Sequence, residues 1–198
     1  MENEILYKSI SALTKEEQLL FGASCVERIL PLYIQFENEI SSEQHHFFAA
    51  FKNGHKRLNT FLDNIFSLVS ESRVADINDC FKFKEECLDL TPDTEEISSN
   101  NVVLAQNCSI GLSYVFDFII SGEVKNILYC SDKVIECVDN IIYFQKLDEN
   151  LKAIAFEKEI QVQKSSIDVV KGGENVPRAE YINSIRTFNK MNLVTFND

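Results

Sequence analysis

Apolar positions recur every three to four residues along most of this chain. That spacing selects helix over strand, because only a period of about 3.6 residues keeps such positions on one face. Leu19, Leu20, Ala23, Val26 and Leu30 mark one face, opened by Thr14-Lys15-Glu16-Glu17. This is a capping box: the Thr hydroxyl accepts from the Glu17 amide while the Glu17 carboxylate reaches back. Pro31 has no amide proton, so it is expected to kink or restart the helix. Ser41 and Ser42 are expected to cap a long third helix carrying Phe47, Phe48, Phe51, Leu58, Phe61, Leu62, Ile65 and Leu68, with Gly54 as its weak point.

A fourth helix is expected from about Asp76 to Leu88, and Pro92 ends the connection that follows. The next helix starts near Ser99 or Asn100 and ends at Gly122, a natural C-cap. Between Ile110 and Ile120 it is apolar nearly all round, which marks the most buried helix of a bundle. Val124, Ile127, Leu128, Val134, Ile135, Val138, Ile141, Ile142 and Phe144 define its antiparallel neighbour. Past Asn150 a helix to about Lys164 is favoured, although Phe156, Ile160, Val162 and Ile167 also allow a strand. Lys171 to Pro177 is a Gly-rich loop, with Pro177 suited to a first helical turn, before Tyr181, Ile185 and Phe188 form a last amphipathic segment. The expected fold is all-α, an antiparallel up-and-down bundle over 1–164, with a loop and a C-terminal segment, 165–198, docked on it.

Composition fits this picture. A chain of 198 residues that is 45% hydrophobic can bury a core. It holds no stretch of about 18 uninterrupted apolar residues, and its start, Met1-Glu2-Asn3-Glu4, is acidic where a signal peptide is basic. A soluble, cytoplasmic protein is expected. The net charge of −12 is unevenly spread: residues 1–70 carry −3, residues 71–150 carry −10 and residues 151–198 carry +1. Such a field repels nucleic-acid phosphates and steers basic proteins toward the middle of the chain.

Candidate chemistry is sparse. Cys80 and Cys87, like Cys130 and Cys137, lie two helical turns apart, about 10 Å, too far to bond within each pair. Together with Cys25 and Cys108 in apolar runs, the six cysteines read as reduced core residues. His45, His46 and His55 lack the i, i+4 spacing of metal ligands, and Asp89, Asp93, Glu95 and Glu96 lack the alternating ligands and glycine of a calcium loop. Gly172-Gly173 matches no phosphate-binding loop. No metal, cofactor or membrane partner is expected.

The run from Phe21 to Phe36 sets Glu27-Arg28 against Leu30-Pro31 and the aromatic Tyr33. With Leu90-Thr91-Pro92-Asp93-Thr94 and the helix Leu104 to Leu112, it resembles the YjaG-like family of bacterial proteins, domain of unknown function 416. The resemblance covers roughly residues 1–150. It implies a helical fold and no assigned activity. The family usually carries Asn where this chain has Leu32, and many members have a Trp-containing helix, whereas this chain has no Trp.

Neighbouring residues on a helix point about 100° apart, so Glu27 and Arg28 are not expected to pair. In a buried network, Arg28 is expected to bond the carbonyls that Pro31 leaves unpaired and Glu27 to meet a base on another helix. For function, two classes follow. The first is a non-enzymatic immunity protein that occludes a basic, nuclease-type toxin with Asp76, Asp79, Glu85, Glu86, Asp89, Asp93, Glu95 and Glu96, assisted by Asp132, Glu136 and Asp139. The second is an enzyme or small-molecule sensor with an inter-helix pocket around Glu27, Arg28 and Tyr33.

Overall fold

The computed structural model describes residues 2–42, 48–173 and 175–195. Its helices are α1 (Glu2–Ser11), α2 (Lys15–Ser42), the short α3 (Phe48–Phe51), α4 (Gly54–Ser70), α5 (Ile77–Asp89), α6 (Asn100–Ser121), α7 (Val124–Phe144), α8 (Glu149–Lys171) and α9 (Arg178–Met191). Among the described residues there is no strand. The protein is an all-α bundle. Leu104, Cys108, Leu112 and Val115 are fully buried, and α6 shares its most extensive interfaces with α2, α7 and α5. Its ends are set locally: the Ser99 hydroxyl accepts from the Asn101 amide at 3.0 Å, and Gly122 takes the left-handed conformation at φ 68°. Only Gly122 and Glu123 separate α6 from α7, so the two extensively packed helices run antiparallel.

The capping box forms as expected, Thr14 N–H donating to Glu17 Oε2 at 2.7 Å and Glu17 N–H to Thr14 Oγ1 at 3.3 Å. Beyond it α2 runs on through Pro31 without a restart. Burial of Ile29, Leu32, Tyr33 and Phe36 offsets the lost backbone bond, which costs about 3 kcal/mol in a helix interior. Ser41 and Ser42 are the last residues of α2 rather than caps of the next helix. The expected long third helix is divided, since Asn53 adopts a left-handed conformation at φ 61° and α4 starts at Gly54. A Cβ on Gly54 would lie 2.7 Å from Tyr33 Oη, so glycine is required by the approach of α2. Phe47, His45 and His46 lie outside the described residues.

The helix after Asn150 does not stop near Lys164 but reaches Lys171, so the expected 164/165 division falls inside α8. Pro177 precedes α9 instead of occupying its first turn. On α9, Tyr181, Ile182 and Ile185 are buried, and the helix packs on α2, α4 and α8. Two helical stretches, Lys15–Ser41 and Asn100–Ser121, are long and apolar enough to cross a membrane, yet their most apolar windows are 78% and 61% buried inside the fold, as core helices are.

Candidate functional site

Helix α5 carries the acidic band. Asp76 caps it, its Oδ1 accepting from the amides of Asn78 at 2.8 Å and Asp79 at 3.4 Å. Cys80 and Cys87 turn inward onto the core, and Phe83 stacks against Phe61 and Phe116. The opposite side faces outward. Of its carboxylates, Asp79 pairs with Lys82 at 3.1 Å and Glu86 with Arg57 at 2.7 Å. In the connection to α6, Asp93 Oδ1 accepts from the Glu95 amide at 2.7 Å and so fixes the turn. Glu85, Asp89, Glu95 and Glu96 are exposed and take no ion-pair partner among the described residues. The band therefore divides into four carboxylates with local duties and four open to solvent.

Charge alone did not reveal the apolar part of this face. Ile77, Phe81 and Leu88 are 44%, 49% and 49% exposed, and their spacing of four and then seven residues aligns them in one stripe along α5. Val74, just before the helix, is 95% exposed. The signal was present in the sequence, because a second apolar periodicity runs offset from Cys80 and Cys87. The carboxylates added from α7 behave differently: Asp132 accepts from the Tyr7 hydroxyl, Glu136 pairs with Lys133 at 2.6 Å, and Asp139 is exposed. Burial raises the Asp132 carboxyl above its usual range, and the Tyr7 bond only partly opposes this.

Glu27, Arg28 and Tyr33 do not share one pocket. Glu27 faces α9, where it accepts from Arg186 Nε and Asn189 Nδ2, each at 2.7 Å. Arg186 also pairs with Asp63 at 2.7 Å and lies over the Phe66 ring at 4.9 Å. Burial works against the Arg186 charge, but Glu27 and then Asp63 outweigh it and hold the guanidinium above its usual range. A cleft of about 590 Å³ opens beside this cluster, floored by Leu30 and Pro31. Arg28 does not bond the carbonyls that Pro31 frees but faces α8, where a carboxylate is the stronger acceptor, donating to Glu159 Oε1 at 3.0 Å and Oε2 at 2.6 Å, and through Nε to the Asn192 carbonyl at 2.8 Å. Gln163 joins from α8, bonding Glu159 at 2.9 Å, and Ser131 of α7 donates to Gln163 Oε1 at 2.5 Å. Tyr33 is fully buried and donates to the Leu90 carbonyl at 2.8 Å. Both members of the Glu-Arg pair are thus buried and ion-paired on different sides of α2, Arg28 with a buried partner and Glu27 with the half-buried Arg186.

His55 adds a bond that the sequence did not disclose. Its amide and ring Nδ1, with the Gly54 amide, converge on the buried Glu37, so a carboxylate from α2 caps α4. All six cysteines are buried and unbonded to one another. Burial pushes the thiols up, Cys25 and Cys137 to about 12, so at neutral pH they are protonated and poor nucleophiles.

Comparison with known proteins adds a frame for these features. A family model described as "Protein of unknown function (DUF416)" matches residues 5–195, well past residue 150, where the resemblance of individual motifs ends. The crystal structure of a DUF416 family protein from Shewanella baltica OS155 at 1.91 Å resolution is similar over 93% of this chain and 93% of that one, with a TM-score of 0.72 and 20% identity. At that identity the likeness concerns the fold alone. No curated protein matches.

Proposed function

The chain belongs to the DUF416 family, whose description carries no activity, and we propose from its own surface that it is a non-enzymatic module that binds a basic protein through α5 and the connection to α6. In its most concrete form the partner is a nuclease-type toxin domain, neutralised in the cytoplasm by an immunity protein that covers its cationic cleft. The observation that carries this proposal is the exposed stripe Ile77, Phe81 and Leu88 lying among Glu85, Asp89, Glu95 and Glu96. An apolar centre with a charged rim is the usual anatomy of a specific interface, and an exposed aromatic is its commonest anchor. The carboxylates supply steering, which accelerates encounter with a cationic surface and weakens as salt rises.

The test uses the product of the gene adjacent to this one. Association should slow with added salt. Replacing Glu85, Asp89, Glu95 and Glu96 with lysine should lower the association rate about tenfold or more while leaving the circular dichroism unchanged. Phe81→Ala should speed dissociation, since anchor truncation costs about 2 kcal/mol or more. Binding unaffected by both changes excludes this face. Co-expression that yields neither a complex nor protection from growth inhibition removes the immunity reading.

A further inference from the structure

A second surface sets an apolar groove beside two cationic side chains, Lys15 and Arg73. Where the start of α2, the end of α4, the connection to α5 and the end of α6 meet, a groove of about 500 Å³ opens, within the range of small-ligand sites, about 300–1,000 Å³. Its walls are Leu19, Leu68, Ala75, Phe118 and Ile119. At its mouth Lys15 donates to the Gly122 carbonyl and lies 5.1 Å from the centroid of the Phe118 ring. That single bond leaves two ammonium N–H groups for another acceptor. Arg73 also lines the groove, placed by the way α4 ends. Ser72 is left-handed at φ 52°, Ser72 N–H donates to Val69 O at 3.1 Å and Arg73 N–H to Leu68 O at 2.9 Å. These are the two bonds of a Schellman ending, built here on a serine where glycine is the usual choice.

At the mouth Arg178 offsets Glu16, which also lines the groove, and Arg73 offsets Glu71, so Lys15 is the charge left over. Glu16 is engaged by Arg178 at 3.0 Å, and Glu71 meets only Nε of Arg73, at 2.7 Å, which leaves the Arg73 Nη groups for another acceptor and Lys15 without an acidic partner among the described residues. We propose that this groove binds an apolar chain ending in a carboxylate, the hydrocarbon lying against Leu19, Leu68, Phe118 and Ile119 and the carboxylate accepting from Lys15 and Arg73. Burial of the hydrocarbon supplies most of the affinity, because it is proportional to the apolar area removed from water. The two cations supply the choice of head group, since a carboxylate accepts what an ammonium head repels. The groove adjoins the partner face on α5 only at Ala75, between Val74 and Asp76.

Calorimetric titration with decanoate and decyltrimethylammonium, each below the concentration at which it forms micelles, separates chain from head group. Decanoate should bind saturably at one site and at least tenfold more tightly than the cation of equal chain length. Lys15→Gln combined with Arg73→Gln should reduce that preference about tenfold, the scale of two partly exposed ion pairs. Ala75→Trp should fill the groove and abolish binding of both amphiphiles, with helical content followed by circular dichroism. Leu68→Gln provides a second, smaller perturbation of the wall if the Trp variant fails to fold. Failure of decanoate to saturate, equal affinity for the two head groups, or undiminished binding by a folded wall variant would each overturn the assignment.

Discussion

At the scale of single residues, Arg28 matters through what it closes. It is 2% exposed, its guanidinium meets both oxygens of Glu159, its Nε holds the Asn192 carbonyl, and its own carbonyl accepts from Val194 N–H at 2.9 Å. Arg28→Ala strands the Glu159 carboxylate, 5% exposed, beneath the C-terminal segment. Loss of one partner from a buried pair costs about 3–5 kcal/mol, so the urea midpoint should fall sharply. Arg28→Lys should recover only part of the loss, because an ammonium cannot reproduce the two-pronged contact. An unchanged midpoint in Arg28→Ala would sink the structural account. A charged pair inside the apolar run from Phe21 to Phe36 could be read from sequence as a buried network. Its partners could not, since Glu159 is 131 residues from Arg28 and Asn189 is 162 from Glu27. No local spacing encodes such a separation.

At the scale of elements, the clearest test is the break before α4. Alanine normally favours a helix by about 1 kcal/mol over glycine. At Gly54 the sign should reverse, since the added Cβ would lie 2.7 Å from Tyr33 Oη and 3.1 Å from Leu90 Cδ2. Overpacking a core costs about 1–3 kcal/mol, so Gly54→Ala should lower the melting temperature, and a rise would show that the Tyr33 contact yields freely. The same place shows why helix identity was legible and one boundary was not. Phe51 and Phe61 keep the helical pattern on both sides of Asn53, and it is Tyr33 and Glu37, supplied by a different helix, that fix the new start at Gly54. Helix α6 was legible because its apolar character needs no partner to be seen, and its ends carry Ser99 and Gly122. Helix α8 was read short because its inward face past the middle uses Glu159, Gln163 and Ser166, buried polar residues that blur the apolar period. On α5, attention to charge concealed the Ile77, Phe81 and Leu88 stripe.

At the scale of the whole molecule, buried weak acids set its response to alkali. Tyr7 and Tyr181 are raised from 10.0 to about 12, first by burial, and the buried thiols of Cys25 and Cys137 from 9.0 to about 12. Between the ordinary and raised values the folded chain keeps protons that the unfolded chain releases, so stability falls as pH rises. Urea midpoints should decline progressively from about pH 9 upward, and Tyr7→Phe should flatten part of that decline. A midpoint constant from about pH 8 to 11 would contradict these burial assignments. The placement of α9 and the residues after it has a consequence for biosynthesis. Arg186, Asn189 and Asn192 leave the ribosome 159 to 164 residues after Glu27 and Arg28, yet they complete the coordination of both. A nascent chain halted before Arg178 holds both charges in its apolar second helix with their coordination incomplete. Full stability is therefore withheld until Asn192 has been added, and products terminated before Arg178 are marked for proteolysis by their own unsatisfied charges.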